Sequence, residues 1–302
     1  MENQLFRPPL LKKGDKVGIV SMASRVKPEA VLRAKDYLEQ WGLEVVLGKS
    51  FSDVHFNFAG TDEARKKDLQ YMLDDHEIKA IFSSRGGYGV SRILDSLNFY
   101  LFKKSPKWLI GFSDITALHA HLFQMGYQSI HGPMPTTFPN DAYSLEALRT
   151  ALFYDTISYS VDYQEDNRIG EGIGQIIGGN LCLLAHTIGS PSDFSFDGKI
   201  LVLEEVGEPH YNVDRMVLQL KRAGKLKNLA GLVVGQFSEM KDPVHQFGKT
   251  AYEIIAEHTA GTNYPIVYDF PIGHTKANYA FRSGETMKLS VSESGTQLST
   301  VR

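Results

Sequence analysis

Cysteine is almost absent: Cys182 is the only one in 302 residues. A single thiol cannot close an internal disulfide, and no C-x-x-C knuckle is available for a metal. Cys182 lies in the apolar run 181–184, so a buried, inert side chain is expected. Positive charge is not in excess. The 32 Lys and Arg are outnumbered by 35 Asp and Glu, a formal net charge of −3. There is then no global basic field to hold nucleic acid or an anionic membrane. No apolar run approaches the ~20 residues of a membrane-spanning helix. The opening "MENQLFRPPLLKKGDKVGIV" has no basic head followed by an apolar stretch, so no secretory signal is expected, and the expected location is cytoplasmic. Internal repeats and low-complexity tracts are missing too. What remains is 42% hydrophobic and 22% charged, ordinary for a globular protein, in a chain long enough for two cores.

The first half alternates strand-like and helix-like segments. Val17 to Val20 reads as a strand. Pro28 suits a first helical turn, Val31, Ala34, Leu38 and Trp41 then share one face, and Gly42 ends the helix. Residues 43–47 form the next strand. Thr61 can cap a helix that opens with Asp62 and Glu63. Strands follow at 79–84 and 108–111, separated by the glycine-rich "RGGYG" (85–89). After Ser113, Ile115, Leu118, Leu122 and Met125 mark another helix face. Such alternation predicts an α/β fold with an N-terminal, mostly parallel sheet flanked by helices.

The pattern changes near residue 155. Residues 156–163 alternate polar and apolar, as a strand with one wet face does. "EDNRIGEGIG" (165–174) looks like a connection. Two apolar strands, Ile200–Leu203 and Leu232–Val234, lie among helices near 180–189, 213–223 and 248–260. Met287, Leu289 and Val291 alternate ahead of a turn at Ser294-Gly295 and a returning strand. The expected domains are 1–155, a connection over 156–172, and a second, mixed α/β domain rich in strands over 173–302.

Ser113 stands where the strand 108–111 gives way to a helix. Such a corner lifts a hydroxyl toward the carboxyl edge of the sheet, where α/β proteins bind ligands, and turns helical N–H groups toward it. The stretch G-F-S-D-I lacks the second glycine of G-x-S-x-G. Ser113 or Asp114 can equally serve as a helix cap. A serine nucleophile needs an imidazole to take its proton. His119 and His121 share the following helix and are expected to point away from the corner. His131, in "SIHGPM", stands near a strand end. His274, on the turn "PIGHTK" after the strand-like "PIVYDF", is better placed. An orienting acid can come from "KILVLEEVGE", where Glu204 and Glu205 end a buried strand. Neighbours on a strand point to opposite faces, so at most one serves a given site. These residues alone do not choose between the two.

The motifs "RGGYG" (85–89), "GFSD" (111–114), "HGPM" (131–134), "GGN" (178–180), "LVLEEVGE" (201–208), "DRM" (214–216) and "GH" (273–274) occur in this order. Together they resemble the LD-carboxypeptidase, or muramoyltetrapeptide carboxypeptidase, family, which also includes the microcin C self-immunity peptidases. The resemblance spans about residues 14 to 300. It implies a serine peptidase with a Ser-Glu-His triad, here Ser113, Glu204 and His274, and so selects Glu204 over Glu205. It implies removal of the terminal D-alanine from an L-configured residue of murein tetrapeptide, through an acyl-enzyme, in a homodimer that uses no metal or other cofactor. The backbone N–H of Asp114, with one from Gly86 or Gly87, would form the oxyanion hole. Two alternatives remain open. A microcin-type enzyme would cleave an amide linking a peptide-like acyl group to a nucleotide, but no long insertion follows the serine to carry a stacking aromatic. A non-catalytic α/β protein would use "RGGYGVSR" to hold an anion and Ser113 as a helix cap.

Overall fold

A computed structural model describes residues 5–242 and 245–301. The ends of the expected domains, residues 1–4 and 302, lie outside the described residues. The chain divides into two units. One runs to Asp155 and takes in Tyr279–Arg282; the other holds Thr156–Asn278 and the segment from Ser283 onward. Among the described residues, no helix is long and apolar enough to cross a membrane.

The first unit contains, in chain order, β1 (Lys16–Val20), α1 (Pro28–Gln40), β2 (Glu44–Leu47), α2 (Asp62–Asp74), β3 (Ile78–Ser83), α3 (Val90–Leu94), α4 (Tyr100–Lys104), β4 (Trp108–Gly111), α5 (Thr116–Gln124), β5 (Ser129–His131) and α6 (Ala142–Phe153). Strands β2, β1, β3, β4 and β5 are parallel neighbours in that order. The expected helix face is the buried one: Val31, Ala34 and Leu38 of α1 are fully enclosed. Thr61 caps α2 by accepting from Ala64 N at 3.2 Å.

The second unit contains β6 (Ser158–Val161), β7 (Gly170–Asn180), α7 (Leu181–Thr187), β8 (Ile200–Val206), α8 (His210–Arg222), β9 (Gly231–Ser238), α9 (Ala251–Thr259) and β10 (Ile266–Val267). It also holds β12 (Thr286–Ser292) and β13 (Gly295–Thr300); between β10 and β12 in the chain comes β11 (Phe281–Ser283), whose Phe281 and Arg282 belong to the first unit. The sheet of the second unit has the order β10-β9-β8-β7-β12-β13-β6. Pairing is parallel from β10 to β7 and antiparallel from β7 to β6. The architecture is thus the expected mixed α/β one, with two multi-stranded sheets flanked by helices. Residues 156–172, expected to connect the domains, carry β6 and the first residues of β7, both hydrogen-bonded into this sheet. The glycines of β7 hide a strand for a steric reason. A methyl at Gly172 would stand 1.8 Å from the Ala230 carbonyl oxygen, and one at Gly178 2.1 Å from that of Val202. Neighbouring backbone comes so close that only hydrogen fits.

Strand β11 was not foreseen. It adds to the first sheet beyond β5. There Phe281 stacks on His131, with ring centroids 4.7 Å apart. Arg282, fully buried, donates from Nε to Ala151 O at 2.8 Å and from Nη1 to Asp155 O at 3.1 Å, and it also reaches Tyr154 O. The last carbonyls of α6, which a helix cannot satisfy internally, thereby gain a charged donor. Arg282→Met leaves them unsatisfied, and the expected loss of stability is about 3 kcal/mol, read by urea denaturation. A change below about 0.5 kcal/mol would show that the cap is dispensable.

Candidate active site

In the first unit, β4 ends at Gly111 and Phe112 remains extended. Ser113 then turns with φ of 63°, opening a 3-10 turn, Ser113–Ile115, that runs into α5. A non-glycine residue in this left-handed region costs roughly 1–3 kcal/mol. Such a strand-to-helix elbow projects the hydroxyl off the sheet edge. Ser113 does not occupy a cap position, because the N-cap residues are Phe112 for the 3-10 turn and Ile115 for α5. Asp114 is buried, and its Oδ2 accepts from Val90 N at 2.8 Å, tying the elbow to the first turn of α3.

That bond also anchors the glycine-rich loop ahead of α3. A methyl at Gly86 would lie 2.9 Å from Cβ and 3.1 Å from Oγ of Ser113, and 3.3 Å from Asp114 N. Gly86 therefore lies against the hydroxyl, where any side chain would displace it. Gly87, with φ of 99°, packs instead against Ser24. Ser24 Oγ accepts from Tyr88 N at 3.2 Å, and its N–H donates to Gly86 O at 3.3 Å. Arg65, completely buried, donates to Met22 O at 2.7 Å and Gly89 O at 2.9 Å. Neither Ser24 nor Arg65 carries a local sequence signal for holding this loop. The bonds by which they hold the loop go to its backbone carbonyls and amides.

His119 departs from expectation. It does not point away from the corner: its Nε2–H donates to Gly111 O at 2.9 Å, and its Nδ1 accepts from Ser129 Oγ at 2.8 Å. Burial pushes its pKa down to about 4, against the opposing effect of the Gly111 bond. A neutral, fully engaged imidazole pins α5 to the end of β4. His131 is also buried, in the ring stack with Phe281.

In the second unit, Glu204 and Glu205 point opposite ways, as strand geometry requires. Glu205 accepts from Asn180 Nδ2 and Cys182 N, both at 2.8 Å, and from Val206 N at 2.9 Å. It thereby joins the end of β8 to the start of α7. Burial, then the Glu204 charge, push its carboxyl up to about 7. Cys182 itself is half-buried rather than enclosed. Glu204 is fully buried, and its Oε2 lies 2.6 Å from His274 Nδ1. Its other oxygen, Oε1, is buried with no hydrogen-bond partner among the described residues. The imidazole is then the main compensation for this carboxylate's lost hydration.

His274 is reached by an unexpected route. Strand β10 has only two residues, and the chain after it follows β9 through the bonds Phe270 N to Val234 O and Gln236 N to Ile272 O. Gly273 N donates to Asn278 Oδ1 at 3.2 Å and closes the turn. A carboxylate only accepts, so neutral His274 carries its proton on Nδ1 and keeps the lone pair on Nε2. Burial by itself would lower the His274 pKa. The charge and hydrogen bond of Glu204, aided by Glu205 and Glu239, outweigh it and raise the pKa above 6.5. Each unit thus assembles part of the predicted set: Ser113 with Asp114 and Gly86 in the first, Glu204 with His274 in the second.

Comparison with known proteins assigns both halves. The LD-carboxypeptidase N-terminal domain matches residues 17–132, and the LD-carboxypeptidase C-terminal domain matches residues 173–289. A "Probable murein peptide carboxypeptidase" of Bacillus subtilis is 34% identical over 295 residues, 95% of this chain and 92% of that protein. The crystal structure of muramoyltetrapeptide carboxypeptidase from Oxalobacter formigenes superposes with a TM-score of 0.85 at 30% identity, covering 95% of this chain and 99% of the other. The microcin C7 self-immunity protein in complex with aspartyl sulfamoyl adenosine shares the fold, with a TM-score of 0.87 at 21% identity and coverage of 99% and 98%. The chain belongs to the LD-carboxypeptidase family of peptidases.

Proposed function

We propose that this protein is a serine carboxypeptidase that removes the terminal D-alanine from an L-residue–D-Ala bond of murein tetrapeptide, with Ser113, Glu204 and His274 as its triad. The strongest support is the 2.6 Å bond from His274 Nδ1–H to a wholly buried Glu204 carboxylate, which leaves Nε2 as a base. In this mechanism His274 Nε2 takes the Ser113 proton as the hydroxyl oxygen attacks the peptide carbonyl. Glu204 holds the ring and stabilises its protonated form. The tetrahedral oxyanion accepts from Asp114 N–H and from an N–H of Gly86 or Gly87. His274 then protonates the departing D-alanine nitrogen, and water, deprotonated by the same imidazole, hydrolyses the ester. The names of the B. subtilis and O. formigenes relatives support a murein peptide as substrate. The microcin-type alternative has weaker support, because 21% identity carries the fold alone. A homodimer and a cytoplasmic location complete the proposal; sedimentation and cell fractionation test them.

Mass spectrometry of the protein with lysine-type and diaminopimelate-type tetrapeptides tests the reaction. Loss of one D-alanine is expected, and an intact peptide after prolonged incubation refutes it. The pH profile tests the base. Only neutral His274 can accept a proton, and its pKa is raised, so kcat/KM should climb with pH to a half-maximum above 6.5. Glu205→Gln removes one of the charges that raise it, and the limb should move to lower pH. A limb unmoved in Glu205→Gln and lying below 6.5 in the wild type would contradict the assignment.

A further inference from the structure

We propose that Arg85 binds the free α-carboxylate of the substrate's terminal residue, and so restricts the enzyme to chain ends; this rests on Ser113 being the nucleophile. A carboxypeptidase attacks a carbonyl whose carbon lies only about 4 Å from the carboxylate carbon of the leaving residue, as the intervening bond lengths dictate. The recognising cation must therefore reach close to the nucleophile.

Three arginines of the first unit near this edge differ in their commitments. Arg65 is buried and bonded to two carbonyls and to Asp62. Arg92 is bound to both oxygens of Asp62. Arg85 directly precedes Gly86, the residue lying against the Ser113 hydroxyl. Its side chain is exposed, and its Nη1 donates to Arg25 O at 3.1 Å. That carbonyl follows Ser24, which bonds Gly86 O and Tyr88 N. The guanidinium is thus turned along the loop that supports the glycine-rich segment. Among the described residues it has no carboxylate partner. One of its five N–H groups is used, and the remaining fork matches a planar carboxylate.

The test compares an Nα-acyl-L-Lys-D-Ala peptide with its C-terminal amide. Wild-type kcat/KM should favour the free acid. Arg85→Met should lower kcat/KM for the acid by about 10- to 100-fold and leave the amide unchanged, so that the preference collapses. Arg85→Lys should recover part of it. The same loss should appear in the affinity of the Ser113→Ala protein for the acid, measured by calorimetry with and without Arg85→Met. Binding therefore tests Arg85 without turnover, whereas D-alanine release by Ser113→Ala at the wild-type rate refutes the nucleophile separately. An unaltered acid-over-amide preference in Arg85→Met, at an unchanged melting temperature, overturns the proposal, as does Ser113→Ala protein that binds acid and amide alike.

Discussion

Ser113→Ala is expected to lower kcat for D-alanine release by about 10⁶-fold, leaving KM within a few-fold of wild type. In the proposed mechanism the serine oxygen is the atom that bonds to substrate, so nothing else in the elbow replaces it. Stability should hardly change, because alanine meets the same left-handed backbone that serine does. Ser113→Gly separates the two properties. Glycine adopts φ of 63° without a Cβ penalty, so this variant should be equally inactive yet more stable by about 1 kcal/mol. A strained residue kept at a cost in stability is what a functional elbow predicts. Retained activity in either variant, after contaminating peptidase is excluded, would remove Ser113 from the mechanism.

Glu204→Gln should cost about 10⁴-fold in kcat, with the fold intact. The carboxylate can only accept, which places the imidazole proton on Nδ1. A glutamine can present its NH2 group to Nδ1 instead, and the proton then sits on Nε2, where the base must have its lone pair. The substitution also removes the leading influence that raises the His274 pKa, so the residual activity should follow a limb at lower pH. Glu205→Gln is the informative contrast. Its side chain ties Asn180 and Cys182 to β8 and does not touch His274, so it should shift the limb without approaching a 10⁴-fold loss. Equal losses in the two variants would assign the orienting role to the pair rather than to Glu204.

Local chemistry made the elbow and the acid pair legible. The apolar run 108–112 gives way to Ser113 and the run 200–203 to Glu204, and strand alternation demanded that Glu204 and Glu205 diverge. Choosing Glu204 required the resemblance, since parity alone does not say which face holds the histidine. The less legible features depend on distant backbone. The glycines of β7 read as a loop because the reason for them, the Ala230 and Val202 carbonyls, lies in other segments. His119 was expected to face elsewhere because helical spacing fixes which residues share a face, but not where that face lies against β4. The sequence pattern places His274 after a six-residue strand, whereas only Ile266–Val267 pairs as β10 and the bonds to β9 carry the chain onward. Arg65 and Ser24 hold the glycine-rich loop through its carbonyls and amides, which no side-chain pattern reveals.

The excursion at Tyr279–Arg282 bears on how the gene can be cut and recombined. A fragment stopping at Asp155 would lack the strand beyond β5, the ring stacked on His131 and the guanidinium capping α6. Exchanging front halves between relatives therefore means exchanging a discontinuous set, with four residues from near the carboxyl terminus travelling alongside the first 155. Chimaeras joined at a single point should misassemble more often than those that carry this tetrapeptide with its native neighbours.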